Sequence, residues 1–429
     1  MTTTQKKNIL ILGGSYAGLS TAHYLLRHAL PALPDQPSYQ VVLVSPAAES
    51  IWRQACPRAL LSDDMFPQDK IFHDIRSMFA QYPAGSFRFV HGAATSLDHA
   101  ARTVTVDLAA GIGGSGSNSQ EKVLEYHALV IATGASTASP LLGLTRDEKH
   151  LRQSWAALRR ALPSAKSIVI AGGGPAGVET AGELGEHLNG RAGWFSSRLA
   201  NPKVPITLVT AAPALLPVLR PEIARSAELL LAKVGVTVIK NARVQSVSPP
   251  TAGTDDVVVP TTVTLKDGRV LAADLYIPAT GTRPNTGFVT DPALLGGDGR
   301  VKTDPATLRV DGAGERVYAI GDASSAFRPA VHLILEAVPA LCANIKRDLL
   351  VAAATDGSSI ASSSLPAEKT YVEDTREAQM VVVGRSRAVG ALMGWRLPGW
   401  LVWLLKGRDY MLWVSGGLWT GKQWAKEAA

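Results

Sequence analysis

Cysteine is scarce in this sequence, with only Cys56 and Cys342 among 429 residues. Two cysteines so far apart exclude a disulfide framework, a four-cysteine zinc site and a C-x-x-C dithiol pair. The sequence therefore predicts a reduced compartment and a chemistry that does not use paired thiols.

Long apolar runs and targeting signals are also absent. No run reaches the roughly 18 residues that a membrane-spanning helix requires. The start, MTTTQKKNILILGG, enters an apolar segment without a signal-peptide cleavage pattern, and neither Thr2 nor the ending KEAA matches a lipidation motif. These features predict a cytoplasmic protein whose membrane contact, if it has one, is peripheral.

The charge of the chain is modest and only slightly biased. Charged residues make up 18% and apolar residues 46%, which is typical of folded proteins rather than disordered ones. The formal net charge is +7, but the cations are dispersed, which argues against nucleic-acid binding. The length allows two or three domains around a large core.

Glycine, by contrast, is abundant, and it marks a repeated pattern near residue 13 and again near residue 172. Each copy has an apolar strand (8–12 and 167–171), a glycine-rich turn, a helix (19–30 and up to about 188) and a second strand (40–44 and 206–209). The turn residues are Gly13, Gly14, Ser15, Ala17 and Gly18 in GGSYAG, and Gly172, Gly174 and Gly177 in GGGPAG. Such a turn lets the backbone approach a pyrophosphate at a helix N-terminus, so the pattern predicts two dinucleotide-binding βαβ units.

Both units depart from the usual fingerprint of this motif. Ser15 replaces the middle glycine of the first turn. Either its hydroxyl donates a hydrogen bond to the phosphate, or the substitution is simply tolerated. Ser45 and Thr210 stand where an acidic residue usually holds the ribose. In the first unit Ser45 or Glu49 is expected to take over the ribose contact, and the choice between NADH and NADPH stays open.

Three further segments connect the two units. They are LVIATGA (129–135) with Thr133 and Gly134, LYIPATGT (275–282) with Gly281, and VYAIGDA (317–323) with Gly321 and Asp322. With the two turns, these motifs resemble, in this order and over about the first 350 residues, the two-dinucleotide flavoprotein oxidoreductases of the pyridine-nucleotide disulfide reductase-like superfamily. The missing cysteine pair favours its type II NADH dehydrogenase and apoptosis-inducing-factor-like members. The segments VGRSRA and GWLVWLLKGRDYMLW resemble the end of the ferroptosis suppressor branch.

The resemblance implies an α/β fold with two Rossmann-like (three-layer ββα) dinucleotide-binding domains plus a small C-terminal α+β module. It implies FAD and NAD(P)H as cofactors and no metal. The FAD-binding domain would comprise residues 1–154 and 283–351, the NAD(P)H-binding domain 155–282, and the C-terminal module 352–429.

The resemblance also implies roles for single residues. Asp322 is expected to accept a hydrogen bond from a flavin ribityl hydroxyl, Arg58 to lie near the flavin nucleotide, and a helix opening near 329–332 to face the flavin. Glu179 is expected to be catalytic, close to nicotinamide and flavin; the alternative is a glutamate that only complements its helix dipole. The implied activity is transfer of electrons from NAD(P)H to a quinone-like or other small organic acceptor. A biosynthetic flavoenzyme specific for one metabolite and a nucleic-acid-binding flavoprotein are the alternatives.

Tryptophan is concentrated at the C-terminus. Six of the nine, namely Trp395, Trp400, Trp403, Trp413, Trp419 and Trp424, fall there among several cations. Tryptophan and cations together suit a membrane surface, whereas tryptophan alone also suits a protein interface or a packed module. Both interpretations stay open, as does the choice between monomer and homodimer.

Overall fold

The computed structural model describes residues 6–108, 120–355 and 365–428. Its strands are β1 (Lys7–Leu12), β2 (Tyr39–Ser45), β3 (Glu49–Ile51), β4 (Phe72–Asp74), β5 (Phe87–Asp98), β6 (Thr103–Leu108), β7 (Gln120–Glu125), β8 (Ala128–Ile131), β9 (Ala135–Thr137), β10 (Ile168–Ala171), β11 (Ile206–Val209), β12 (Val236–Ile239), β13 (Val244–Ser248), β14 (Thr261–Leu265), β15 (Val270–Ala273), β16 (Leu275–Pro278), β17 (Thr282–Pro284), β18 (Val317–Ala319), β19 (Gln379–Val382), β20 (Ala388–Leu392) and β21 (Trp395–Arg396). Its α-helices are α1 (Tyr16–Tyr24), α2 (Cys56–Ala59), α3 (Ile75–Met78), α4 (Glu148–Ala161), α5 (Pro175–Asn189), α6 (Pro221–Ala232), α7 (Val331–Thr355), α8 (Gly399–Val402) and α9 (Leu412–Trp419).

The largest sheet has seven strands in the order β18-β8-β1-β2-β5-β6-β7. Its centre is parallel, with Leu12 of β1 opposite both Val44 and Ile131. The inner residues of β1 are fully buried because layers of structure cover both faces, as is usual for parallel strands. Since β18 comes from far down the chain and pairs in parallel with β8, the carboxyl ends of β1, β8 and β18 meet at one edge.

The second sheet is smaller and wholly parallel, in the order β12-β11-β10-β16. The antiparallel strands β13, β14 and β15 form a separate three-stranded sheet in the same part of the chain. The strand, turn, helix and strand of β10, α5 and β11 repeat the arrangement of β1, α1 and β2. The predicted fold class of two Rossmann-like units is confirmed.

The C-terminal residues form the antiparallel sheet β19-β20-β21 followed by short helices. This sheet lies directly against α5, where a Cβ at Gly182 would come within 2.8 Å of the Val383 Cα. The chain then returns to α1, where the Trp424 carbonyl bonds to His28 Nε2 at 2.7 Å and the Trp419 ring stacks on Tyr16. Trp419 and Trp424 are buried there, so both act as packing residues rather than as exposed anchors.

Low-complexity composition predicts loops between β strands at 109–122 and 248–256 and a linker at 352–366, and these three predictions have different outcomes. Most of 109–122 lies outside the described residues, but Gln120–Lys122 belong to β7 and pair with β6, so the loop prediction is wrong for these three residues. The segment 248–256 joins β13 to β14 as expected. Of the predicted linker 352–366, the first four residues continue α7, and 356–364 lie outside the described part.

Membrane crossing can be judged for the helices that the structure describes. Among them, none combines the length and the apolar character that a crossing needs.

Candidate functional site

A cavity of about 790 Å³ opens at the carboxyl edge of the seven-stranded sheet. Its walls come from the first glycine turn, the ends of β2 and β8, the start of α7, the start of α5 and the C-terminal module. The predicted site residues in this lining are Gly13, Gly14, Ser15, Ala17, Ser45, Thr133, Gly134, Glu179, Gly321 and Asp322. The structure thus brings together residues from all three predicted parts of the chain.

The first turn needs glycine for steric reasons. Gly13 has a φ of +121°, and a Cβ there would lie 2.1 Å from the Ala132 carbonyl oxygen. A Cβ at Gly18 would lie 1.8 Å from the Gly13 oxygen, and one at Gly14 would lie 2.7 Å from the Ser45 Cβ. The backbone therefore passes tightly between two strands and reaches the N-terminus of α1, where Ser15, Tyr16 and Ala17 line the cavity.

The second turn repeats these contacts almost atom for atom. Gly172 has a φ of +124°, and its Cβ would lie 2.0 Å from the Ala279 oxygen; a Cβ at Gly177 would lie 1.9 Å from the Gly172 oxygen. Gly174, in contrast, would place a Cβ in open space with nothing within 4 Å. Packing therefore does not require glycine at the middle position of the turn. The empty space beside this position is where a ligand phosphate would approach.

Ser15 occupies the corresponding position of the first turn and lines the cavity. Its backbone is extended, with φ −124°, and its side chain makes no capping hydrogen bond to α1. Because the equivalent position tolerates a side chain sterically, the Ser15 substitution is compatible with the turn. Among the described residues, no hydrogen bond of the Ser15 hydroxyl favours either interpretation.

Ser45 and Thr210 terminate the second strand of their units in the same way. The Ser45 hydroxyl accepts a hydrogen bond from the Ala47 amide at 3.2 Å, and the Thr210 hydroxyl accepts from Ala212 at 3.3 Å. Glu49, the alternative ribose ligand, instead binds Arg152 and lies outside the cavity lining.

Asp322 lies on the cavity wall in a short 3₁₀ turn after β18. Burial raises the pKa of its carboxyl, while Arg53 and Arg300 oppose that shift through their charge. Arg53 also lines the cavity and donates to the Ala135 carbonyl at 3.3 Å. Sequence reasoning missed Arg53, although its position directly after β3, in the motif WRQACPR, offered a signal.

The helix predicted to open near residues 329–332 begins at Val331 as α7. Pro329 and Ala330, directly before the helix, and Val331 and Ile334 in its first turn all line the cavity. The positive end of the helix dipole therefore faces the cavity, where it favours a negatively charged group.

Glu179 and Lys406 form a buried ion pair on the opposite wall. Lys406 Nζ donates to Glu179 Oε1 at 2.6 Å and to the Met380 carbonyl at 2.9 Å. The same Glu179 oxygen accepts from the Val382 amide at 3.1 Å. Lys406 was not predicted as a site residue, because nothing in its local sequence shows that it contacts a residue 227 positions away.

Arg58, in α2, lies outside the cavity lining and pairs with Glu183, which is one turn beyond Glu179 on α5. Its guanidinium donates to Glu183 Oε1 from Nε at 2.9 Å and from Nη2 at 2.8 Å, and both side chains are almost completely buried. The Tyr410 hydroxyl donates to the same oxygen at 3.0 Å. The structure therefore assigns Arg58 to an ion pair that joins α2, α5 and the C-terminal module, and does not bring it to the cavity.

The remaining predicted residues surround the second turn. Gly172, Gly174 and Gly177 form that turn, and Gly281, with a φ of +110°, follows β16 beside it; none of these four is in the cavity lining, although Pro175, Ala176 and Thr282 are. The second turn thus adjoins the cavity through the start of α5. This is expected if a second nucleotide, bound at this turn, meets the first nucleotide inside the cavity.

Neither cysteine has the environment of a reactive thiol. Cys56 and Cys342 are both buried and free, and burial raises the pKa of the Cys56 thiol to about 12. Within the described ranges, no group of three or more His, Cys, Asp or Glu side chains is placed to hold a metal ion.

The family of this chain follows from a model that matches most of its length. The pyridine nucleotide-disulphide oxidoreductase model aligns with residues 7–340, which include both glycine turns and Asp322. The chain belongs to this family. Its cofactors are accordingly FAD and NAD(P)H. The two glycine turns fit the pyrophosphates of these cofactors, because each brings bare backbone to the N-terminus of a helix and the space beside Gly174 is open.

Two fungal relatives match nearly the whole chain. Oxidoreductase phnG of Penicillium herquei is 61% identical over 426 residues, which cover 99% of both chains. Oxidoreductase ptaL of Pestalotiopsis fici is 29% identical over 402 residues, covering 92% of this chain and 94% of the relative. The protein is thus a member of an oxidoreductase family along its full length, including the C-terminal module.

Solved structures agree with this fold. The sulfide:quinone oxidoreductase of Aquifex aeolicus aligns with a TM-score of 0.65 at 16% identity, covering 97% of this chain and 92% of that one. NDH2 of Plasmodium falciparum, in complex with NADH, aligns with a TM-score of 0.64 at 15% identity and covers 99% of both chains.

Proposed function

We propose that this protein oxidises NAD(P)H and delivers the electrons to a small quinone-like acceptor. The observation that carries the proposal is the single cavity that runs from the first glycine turn and Asp322 to the Glu179–Lys406 ion pair. FAD, when bound, supplies the chemistry that links a hydride donor to an organic acceptor.

In this proposal each glycine turn, together with the helix that follows it, forms a cradle for one pyrophosphate. The GGSYAG turn and the N-terminus of α1 bind that of FAD, and the GGGPAG turn and α5 bind that of NAD(P)H. Asp322 accepts a hydrogen bond from a ribityl hydroxyl, and the start of α7 stabilises negative charge in the cavity. Arg58 takes no part in binding, since its guanidinium is occupied by Glu183.

Glu179 and Lys406 form the wall at which the two cofactors and the acceptor would meet. Both side chains are shielded from solvent, so the pair also keeps water away from this end of the cavity. Lys406 carries a proton at Nζ beside the acceptor space, and Glu179 fixes the direction of that ammonium. Glu179 is thus more than a partner of the helix dipole, because its carboxylate is held by the C-terminal module.

The choice of acceptor is tested by anaerobic reduction followed by reoxidation. We expect the purified yellow protein to be bleached by NADH or NADPH and to be reoxidised rapidly by short-chain quinones. Acid precipitation should release the FAD, since the part of the cavity lining that the structure describes contains no histidine or cysteine that could tether it. Reoxidation by one specific metabolite, with slow turnover of every quinone, would instead support a biosynthetic flavoenzyme.

A Glu179→Gln variant is expected to keep its FAD and to lose acceptor-dependent turnover by about 100-fold. The amide has the shape of the carboxylate but leaves the buried Lys406 ammonium without its counter-charge. Steady-state turnover and bound flavin are measured together. Glu222→Gln on the exposed side of α6 is the matched control, and equal activity of both variants would contradict the role of Glu179.

We also propose that the C-terminal module contacts a membrane surface through its exposed aromatic side chains. Trp395, Trp400 and Trp413 are exposed, whereas the Trp403 indole donates to the Arg385 carbonyl at 2.7 Å. Indole rings with flanking cations are favourable at the headgroup level of a bilayer. Such a contact gives an apolar acceptor a route to the cavity.

A further inference from the structure

A second concave surface lies between α6 and the C-terminal sheet, away from the cavity described above. This groove has a volume of about 340 Å³. Its lining residues are Ile223, Ser226, Leu229, Leu230, Lys233, Arg387, Ala388, Val389, Gly390, Arg396, Leu397 and Gly399. The floor is apolar, the only charged groups are cations, and no lining residue is acidic.

Among the residues that the structure describes, the three cations of the groove have only neutral hydrogen-bond partners. Lys233 donates to the Trp194 carbonyl, Arg387 to the Ser386 carbonyl and Arg396 to the Ser226 hydroxyl, each at 3.3 Å. In the described ranges of the chain, no carboxylate lies within ion-pair distance of any of them.

The acidic residues of α6 are already neutralised by other cations. Glu222 is paired with Arg225, and Glu228 is paired with Lys240. Three positive charges thus surround an apolar groove without compensation, which is an environment for a negatively charged amphiphile.

Exposed aromatic side chains border the groove on two sides. The loop between α5 and β11 is tied to the end of α6, because the Ala192 amide donates to the Lys233 carbonyl at 2.8 Å and the Leu199 amide to Ala232 at 3.0 Å. At its tip Trp194 is 80% and Phe195 fully exposed. On the other side Trp395 is 77% and Trp400 67% exposed, next in sequence to the lining residues Arg396 and Gly399.

We propose that this groove binds the headgroup of an anionic phospholipid within a bilayer, with Lys233, Arg387 and Arg396 facing the phosphate. The proposal rests on the proposed membrane contact and extends it to the NAD(P)H-binding unit, which supplies Lys233, Trp194 and Phe195. A bilayer explains both features together: the cations match anionic headgroups, and the aromatic rim inserts at the interface. A free soluble anion would leave the exposed rim without a function.

Vesicle flotation tests this site with the full-length FAD-loaded protein. We expect tighter binding to phosphatidylcholine vesicles that contain phosphatidylglycerol than to phosphatidylcholine alone. Lys233→Gln, Arg387→Gln and Arg396→Gln combined should weaken binding to the anionic vesicles about 100-fold, since each cation near such a surface contributes about a factor of five. The matched control is Lys149→Gln, Arg160→Gln and Lys166→Gln, which removes the same charge from exposed positions elsewhere.

Each outcome decides between defined alternatives. Equal weakening by both triple variants would overturn the groove, because only diffuse charge would then matter. Binding of glycerol phosphate in solution at the groove, with no vesicle binding, would overturn the bilayer as its source. Absence of binding to any vesicle would overturn both the groove and the membrane contact, while quinone-dependent oxidation of NAD(P)H would still be judged separately with soluble acceptors.

The aromatic rim is tested by Trp194→Ser and Phe195→Ser together. We expect this variant to bind both kinds of vesicle about tenfold more weakly than the unchanged protein, because interfacial insertion does not depend on lipid charge. Unchanged binding to both would overturn the part of the proposal that assigns this loop to the membrane.

Discussion

A Gly174→Val protein is expected to fold, to carry FAD and to be reduced by NAD(P)H at least about 100-fold more slowly than the unchanged protein. Apart from its neighbours in the chain, no atom of the described residues would lie within 4 Å of a Cβ at this position, and the backbone φ of −76° suits any residue. The fold is therefore spared. The branched side chain instead occupies the position at which the nucleotide pyrophosphate must come closest to the backbone. Stopped-flow bleaching of the flavin absorbance measures the loss.

The first turn provides the matched control for this variant. Ser15→Val alters the equivalent position of the flavin cradle and should lower FAD content, while leaving the NAD(P)H cradle intact. Valine placed at the two equivalent positions should thus give different defects, loss of reduction by NAD(P)H at position 174 and loss of FAD at position 15. Normal reduction of Gly174→Val would mean that the second turn only packs, and loss of FAD from it would mean that the two cradles are assigned to the wrong cofactors.

The glycine turns could be predicted from the sequence because their requirement is local. Gly18 and Gly177 are each required by the backbone oxygen five residues earlier, which would lie 1.8 Å and 1.9 Å from a hypothetical Cβ. The flanking strand and helix are encoded within about thirty residues. The role of Asp322 and the start of α7 were instead implied by the resemblance of the whole series of motifs to a known family. Repetition of the pattern in one chain then predicted the fold class.

The part of the cavity wall formed by Glu179 and Lys406 could not be predicted in this way. Lys406 meets Glu179 across more than half of the chain, and no spacing rule encodes such a contact. Arg58 was placed near the flavin by resemblance, but the buried Glu183 carboxylate attracts it more directly. Likewise the six C-terminal tryptophans look alike in the sequence, and only the return of the chain to α1 separates buried Trp419 and Trp424 from the exposed ones.

Breaking the Arg58–Glu183 pair should have the largest effect on stability. We expect Arg58→Ala to lower the free energy of unfolding by about 3–5 kcal/mol, because it leaves a buried carboxylate without its counter-charge. The pair joins α2 to α5, and Tyr410 binds the same oxygen of Glu183, so the C-terminal module should loosen together with the core. Urea unfolding of the FAD-loaded protein, followed by tryptophan fluorescence, measures the change.

Two further variants separate a lost ion pair from a lost side chain. Arg58→Met combined with Glu183→Leu removes both charges, and it should recover most of the stability that Arg58→Ala loses, since apolar groups of similar size replace a buried pair at little net cost. Glu222→Ala, which breaks the exposed pair with Arg225, should change stability by less than about 1 kcal/mol. If instead the double variant is as unstable as Arg58→Ala, the packing around α2 carries the stability and the charges do not. If Arg58→Ala keeps its stability but loses FAD, Arg58 serves the flavin after all, as its resemblance to the ferroptosis suppressor branch first implied.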